Sequence, residues 1–302
     1  MPGRAKHKPA PVKQSSVYKV PCMANHWRAA PGGYVLHQDR LSANLTFRGP
    51  MPGLRQVSPP CCDSSPRWPG PVLALRAVQV AGRRPFIVGS RASRPIHRLR
   101  TNVVDVQFEP SRQCPLRLHL YWSDSRNDQL DLEVLVSTLD PFQHLEVLTW
   151  SRVPRASVLL PWPGSGDGLQ WLDIGSMPGL DTQWLILPRD REAAMFSLDG
   201  RPPGLGEMML AKPYVHPLVL YRPTGQDWSY VEMSRVEDCA RILARKTRGR
   251  AELSFGLFGR DTEKGVILRG RVRGVYIPRD QDTQRAREIL EHFETEPPHL
   301  SV

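Results

Sequence analysis

The chain has 302 residues, 40% of them hydrophobic, and a formal net charge of +11, which suits one large globular domain or two small ones. The charge is unevenly held: residues 1–100 carry 17 Lys and Arg against two acids, Asp39 and Asp63, whereas residues 101–302 carry 24 against 28. The basicity therefore belongs to the N-terminal third, which excludes a uniformly basic fold, and no run of about 20 apolar residues exists to cross a membrane as a helix.

The first segment, residues 1–95, reads as a disordered basic stretch. Fourteen of the 30 prolines fall in the first hundred residues, removing backbone donors too often for regular structure. Residues 1–70 show no sustained period of 2 or 3.6. The near-absence of acids beside abundant Arg and Pro is also what a mis-called start would give. A nucleic-acid-binding arm is the alternative, since clustered Arg and Lys neutralise phosphates. Its aromatics, Tyr18, Trp27, Tyr34 and Trp68, are not interleaved with Arg in a recognisable module, so a nucleic-acid partner is not the first expectation. Arg4 to Lys19 lead into Pro21, Cys22 and His26 rather than an apolar h-region, so the chain reads as cytoplasmic. Short strands are expected at Val72–Leu75 and Phe86–Val88.

A different pattern starts near residue 100 and predicts a β-sandwich domain over 100–296, followed by a disordered tail, 297–302. Val104, Val106 and Phe108 alternate with polar residues. Leu116, Leu118, Leu120 and Trp122 do the same, as do Leu130, Leu132, Val134 and Val136, with a polar turn between the last two runs. Arg117 is expected to pair with Asp131 or Glu133 on the outward face. Further strands follow at Leu145–Trp150, Ser157–Trp162, Leu169–Ile174, Gln183–Leu187 and Ala194–Leu198. A hairpin joins Pro217–Arg222 to Trp228–Met233. Two late α-helices are predicted. One starts at the capping box Ser234-x-x-Glu237 and carries the stripe Val236, Cys239, Ala240 and Leu243. The other runs from about Asp282 to Glu294, with Ala286, Ile289, Leu290 and Phe293 on its apolar face. Strands at Leu253–Leu257 and Gly265–Ile277 lie between them. The fold class is thus mainly β, an antiparallel β-sandwich with two late α-helices.

Three features carry possible chemistry. Arg269, Arg271 and Arg273, spaced by two on one strand, aim their guanidinium groups the same way and could hold a phosphate or carboxylate. Trp150 is out of phase with Leu145 and Val147, so it is the indole expected to be exposed, where it could stack on a sugar; Trp122 is in phase with its strand and reads as core. His216 sits at a strand edge and is the weak candidate for a general acid or base. His119 lies on the polar face of its strand. Five cysteines, Cys22, Cys61, Cys62, Cys114 and Cys239, form no metal or disulfide framework, and read as reduced thiols. No metal site and no cofactor is expected, and no fingerprint for a nucleotide or a metalloprotease centre occurs.

The segment Tyr214–Arg222, Trp228–Met233, Glu237-Asp238-Cys239 and Leu253–Gly259, with Phe258-Gly259-Arg260-Asp261 and Gly265 leading into the last long strand, resembles the closing portion of bacterial proteins of the galactose-mutarotase-like β-supersandwich. It covers residues 214–296. The resemblance implies a supersandwich fold and a carbohydrate partner. Catalysis of that type needs a His and a carboxylate facing one sugar, and both cannot be placed on this sequence residue by residue. The sequence therefore points to a carbohydrate-associated binding sandwich without demonstrable catalysis. The alternatives are a sugar-active enzyme of epimerase or lyase type using His216, and a nucleic-acid-associated protein acting through the basic N-terminus.

Overall fold

The computed structural model describes residues 26–38, 41–47, 49, 51–59, 68–87, 95–100, 102–112, 114–126, 128–154, 156–163, 169–176, 184–189, 207–209, 216–247 and 249–297. Its strands, in chain order, begin with β1 (Trp27–Ala30), β2 (Gly33–His37), β3 (Ser42–Thr46), β4 (Gly53–Ser58), β5 (Ala74–Gln79), β6 (Ile96–Arg100) and β7 (Val103–Phe108). The long strands β8 (Leu116–Arg126), β9 (Gln129–Thr138) and β10 (Phe142–Pro154) follow, then β11 (Ala156–Pro163), β12 (Leu169–Asp173), β13 (Trp184–Pro188) and β14 (Glu207–Met209). The series closes with β15 (Leu218–Pro223), β16 (Trp228–Ser234), β17 (Cys239–Thr247), β18 (Arg250–Thr262), β19 (Ile267–Pro278) and the helix α1 (Asp282–Thr295).

These strands make two large sheets and a small one. The larger, of nine strands, runs β12-β11-β15-β16-β19-β9-β8-β7-β6, and the second, of six, runs β14-β13-β17-β18-β10-β5. Pairing is antiparallel except between β13 and β14. The two-residue rhythm explains the packing. On β8, Leu118, Leu120 and Trp122 point inward, opposite Val136, Val134 and Leu132 of β9. They meet Val147, Leu253, Phe255 and Ile242 of the six-stranded sheet in one buried core. The opposite face of the larger sheet is covered by α1. There Ala286, Leu290 and Phe293 bury Leu218, Val231, Met233 and Ile277, so the apolar stripe of the C-terminal helix falls where its spacing placed it.

Residues 26–87 do not behave as a patternless leader. Strands β1 to β4 form a four-stranded meander, and β5 is the edge strand of the six-stranded sheet. Tyr34, Leu36, Ala43 and Leu45 alternate inward with period two. Trp27, Trp68 and Leu75 belong to the same core as Trp122 and Phe255. Trp122 donates to the Leu73 carbonyl at 2.9 Å, and Trp68 packs against Trp228, Tyr230 and Tyr276. The core therefore starts near Trp27, not near residue 100. Strands of four to six residues are shorter than the window over which a period is read, and Pro31-Gly32 makes the turn between β1 and β2. Residues 1–25, the expected strand Ala194–Leu198 and residues 298–302 lie outside the described residues.

The helix expected after Ser234 is strand β17. It is an inner strand between β13 and β18, so both of its faces are buried. Ile242 and Ala244 face the core, while Leu243 packs on the other side with Trp150 and Ile186. Its Ile242-Leu243-Ala244 run is apolar on both faces, which periodicity cannot tell from a helix. Near its end Arg245 pairs with Glu252 of β18. Arg117 lies opposite Ser137 and pairs with Glu109 rather than with Asp131 or Glu133.

The motif Phe258-Gly259-Arg260-Asp261 is a β-bulge. Phe258 and Gly259 both have positive φ, 77° and 58°, and the register of β10 against β18 slips at this point. Asp261 holds the bulge by accepting from the His144 backbone N–H at 2.8 Å.

Candidate functional site

The face of the six-stranded sheet that points away from the core carries an unusual set of side chains. Alternation along β10 sends Glu146, Leu148, Trp150 and Arg152 to this face. Neighbouring strands add Arg76 and Gln79 from β5, Glu252 and Gly256 from β18, Arg241 and Arg245 from β17, and Trp184 from β13.

Two rows of chemistry result. In the first, Arg241 donates to Glu146 through Nε at 2.7 Å and Nη2 at 2.5 Å, and to Gln79 at 2.9 Å. Arg241 and Glu146 have no solvent-exposed side-chain surface. Gly256 makes room for them: a Cβ there would fall 1.9 Å from Glu146 Oε1. In the second row, the Arg76 guanidinium lies 4.1 Å from the Trp150 ring centre and 5.7 Å from that of Trp184. Arg245 lies 4.5 Å over Trp184, and the two indoles are 5.4 Å apart. Glu252 accepts from Arg152 at 2.9 Å and from Arg245. Burial lowers the pKa of Arg76; the Glu252 carboxylate opposes this and the nearby Arg245 charge reinforces it.

Trp150 is 5% exposed, so it is not the open platform its phase suggested. The phase itself was informative: Trp150 does point away from the inter-sheet core. Arg76 and Trp184 close over its ring, as cations and indoles attract face to face. What Trp150 offers is its indole N–H, which is buried without a partner. Arg76 Nη1 and Arg245 Nε are buried and unpartnered on the same face.

The arginine stripe does point one way. Arg269 binds Glu133 at 2.8 Å, and Arg273 binds Asp131 through Nε at 2.8 Å and Nη2 at 3.0 Å. Arg271 and Arg273 both reach Glu296 past the end of α1, and they lie 4.3 and 4.6 Å from the Phe293 ring centre. These interactions clamp α1 to the sheet. His216 precedes β15 with Nδ1 buried and unpartnered. Among the described residues no carboxylate is hydrogen-bonded to it. His119, by contrast, meets Tyr121 at 3.3 Å and approaches Asp105 at 3.9 Å on the outward face of the nine-stranded sheet. Strand pairing produces this group, since Asp105 lies opposite Tyr121.

Sequence reasoning missed Arg76, Arg241, Arg245, Glu146 and Trp184 as a set. They come from four strands, and their only local signal was a charge inside an apolar run, as at Arg76 and Arg241. Cys114 and Cys239 are buried thiols outside any disulfide, and burial pushes Cys114 up to about 12. Among the described residues no group of three His, Cys, Asp or Glu could hold a metal ion, and no helix is long and apolar enough to cross a membrane.

No family model matches the chain, and no curated protein matches it in sequence. Among solved structures, it is similar to the Slr1438 protein of Synechocystis sp. PCC 6803, with a TM-score of 0.50, 11% identity, and coverage of 81% of this chain and 95% of that one. A GalM/aldose epimerase homologue from C. elegans gives a TM-score of 0.47 at 8% identity, covering 80% of this chain and 97% of that one. A putative aldose 1-epimerase from Escherichia coli K12 gives 0.45 at 9% identity, covering 81% and 98%. The structural neighbours thus include mutarotase-like proteins at low identity, and what the chain shares with the Synechocystis protein is its fold.

Proposed function

We propose that this protein is a carbohydrate-binding β-sandwich, and that it binds through the outer face of the six-stranded sheet around Trp150. The observation that carries the reading is the gathering of three buried donors without acceptors: Trp150 Nε1, Arg76 Nη1 and Arg245 Nε. A buried donor left unpaired costs roughly 1–3 kcal/mol, so three together favour a ligand rich in oxygen acceptors. A polyhydroxylated ring supplies such acceptors at short intervals. The reading is one of binding: among the described residues of this face, the carboxylates Glu146 and Glu252 are both already occupied by arginines.

The test is a glycan array followed by titration, using Trp150→Phe. That change keeps an aromatic ring while removing the N–H together with the five-membered ring. The expected result is binding to at least one glycan, weakened about tenfold in a variant that still unfolds cooperatively. An array with no ligand, or binding untouched by Trp150→Phe, contradicts the reading.

A further inference from the structure

Beside the Trp150 face lies a cleft of about 380 Å³, lined by Arg55, Arg152 and Arg250 together with the backbone at Gly70 and Gly249. Four segments build it: β4, the approach to β5, the end of β10, and the turn between β17 and β18. The Arg152 N–H donates to the Pro71 carbonyl at 2.7 Å, which holds the approach to β5 against β10. Among the described residues the lining contains no acid. The Glu252 carboxylate nearby already accepts from Arg152 and Arg245. Arg55 donates to the Met51 carbonyl at 3.2 Å, and its pKa is lowered first by burial and then by the neighbouring Arg152 charge. Like charges in a half-buried cleft repel, and an incoming anion relieves that repulsion.

We propose that this cleft is an oxyanion subsite, seating the phosphate or carboxylate of an acidic carbohydrate. The choice of carbohydrate rests on the reading above. Arg152 follows Trp150 by two residues on β10, so both side chains leave the same face about 7 Å apart. A pyranose spans that distance. One ligand can therefore place its anionic group between the arginines while its ring extends along the Trp150 face. Guanidinium groups suit either anion, because their planar fork donates two parallel hydrogen bonds to adjacent oxygens.

The test titrates the full chain with glucose, glucuronate, glucose 1-phosphate and inorganic phosphate at constant ionic strength. An acidic sugar is expected to bind about tenfold or more tightly than glucose, and Arg55→Gln is expected to erase that advantage while leaving glucose binding in place. Arg250→Gln, at the exposed start of β18, reads the same contact should Arg55→Gln fail to fold. Preference for glucose 1-phosphate assigns a phosphate, and preference for glucuronate assigns a carboxylate. Equal binding of acidic and neutral sugars overturns the subsite and leaves the carbohydrate reading standing. Inorganic phosphate that binds through Arg55 with no sugar bound supports the subsite and removes the carbohydrate reading. Phosphate or acidic-sugar binding indifferent to both arginine variants, or no binding of any probe, overturns the inference.

Discussion

Trp27 donates its indole N–H to Asp124 Oδ1 at 2.8 Å, joining residues 97 apart in the chain. The other oxygen of Asp124 accepts from Gln38 at 2.7 Å and meets His26 at 2.6 Å. One buried carboxylate on β8 thus ties the N-terminal meander to the nine-stranded sheet. Asp124→Ala should leave the Trp27 and Gln38 donors without an acceptor and cost roughly 2–3 kcal/mol. Deleting residues 1–87 would strip away β1 to β5 and should abolish the cooperative unfolding transition. Chemical denaturation of both variants checks this; a truncated chain that still unfolds cooperatively would mean that the core stands without β5.

The buried Arg241–Glu146 pair should be intolerant of losing one partner. Arg241→Met leaves a carboxylate in a dry site and is expected to cost roughly 3–5 kcal/mol. Replacing both partners by apolar residues of similar volume should cost much less. Urea unfolding of the two single variants and the double variant reads the difference as a coupling energy. Costs that simply add would show that the pair is not a unit.

Stability should peak in mildly acidic solution. Burial raises Glu232 to about 7, although Ser151 and Tyr230 bond to it, and burial with the neighbouring Glu237 raises Asp238 to about 6. A carboxyl raised in the native state holds a proton that the unfolded chain has released. Its stabilisation is present below the unfolded value, near 4.5 for Glu232, and is lost as pH rises through about 7. Glu296 works the other way. Despite some burial, its bonds to Arg273 and Arg271 depress it to about 2, so its stabilisation is present above about 4.5 and is lost as pH falls toward 2. Melting temperature measured from pH 3 to 8 should therefore fall on both sides of a maximum near pH 5, and Glu232→Gln should flatten the alkaline side. A melting temperature that climbs steadily to pH 8 would contradict the placement of Glu232.

Phe293 sits under Arg271 and Arg273 and is fully buried. Phe293→Ala should cost roughly 3–5 kcal/mol, the usual range for a buried aromatic. Its effect should not add to that of Glu296→Ala, because both remove the same clamp. Full additivity would separate the two.

Much of the larger sheet was legible because alternation is the signal of a strand with one buried face. From Val104 to Val136, and again from Leu218 to Met233, each run was long enough for the rhythm to show. The C-terminal helix was legible for the same reason at its own period. Two parts were hidden. Strands β1 to β4 are short, and the Arg and Pro in the sequence between them imitate an unfolded tail. Strand β17 is buried on both faces, so its Ile242-Leu243-Ala244 run fits a helix equally well, and Ser234 with Glu237 supplied a false cap. The candidate site was legible only at Trp150, through its phase on β10. Its partners Arg76, Trp184 and Arg245 come from strands whose pairing no local pattern announces.

The account turns on whether the Trp150 indole N–H receives an acceptor from a ligand. Its resonance can be followed directly by two-dimensional NMR of indole-labelled protein, assigned by its loss in Trp150→Phe. On titration with the tightest glycan, the Trp150 signal should move saturably with the dissociation constant found by calorimetry. The Trp228 indole, already bonded to Gln226 at 3.1 Å, should stay put. A glycan that binds while the Trp150 signal remains unmoved would contradict the account.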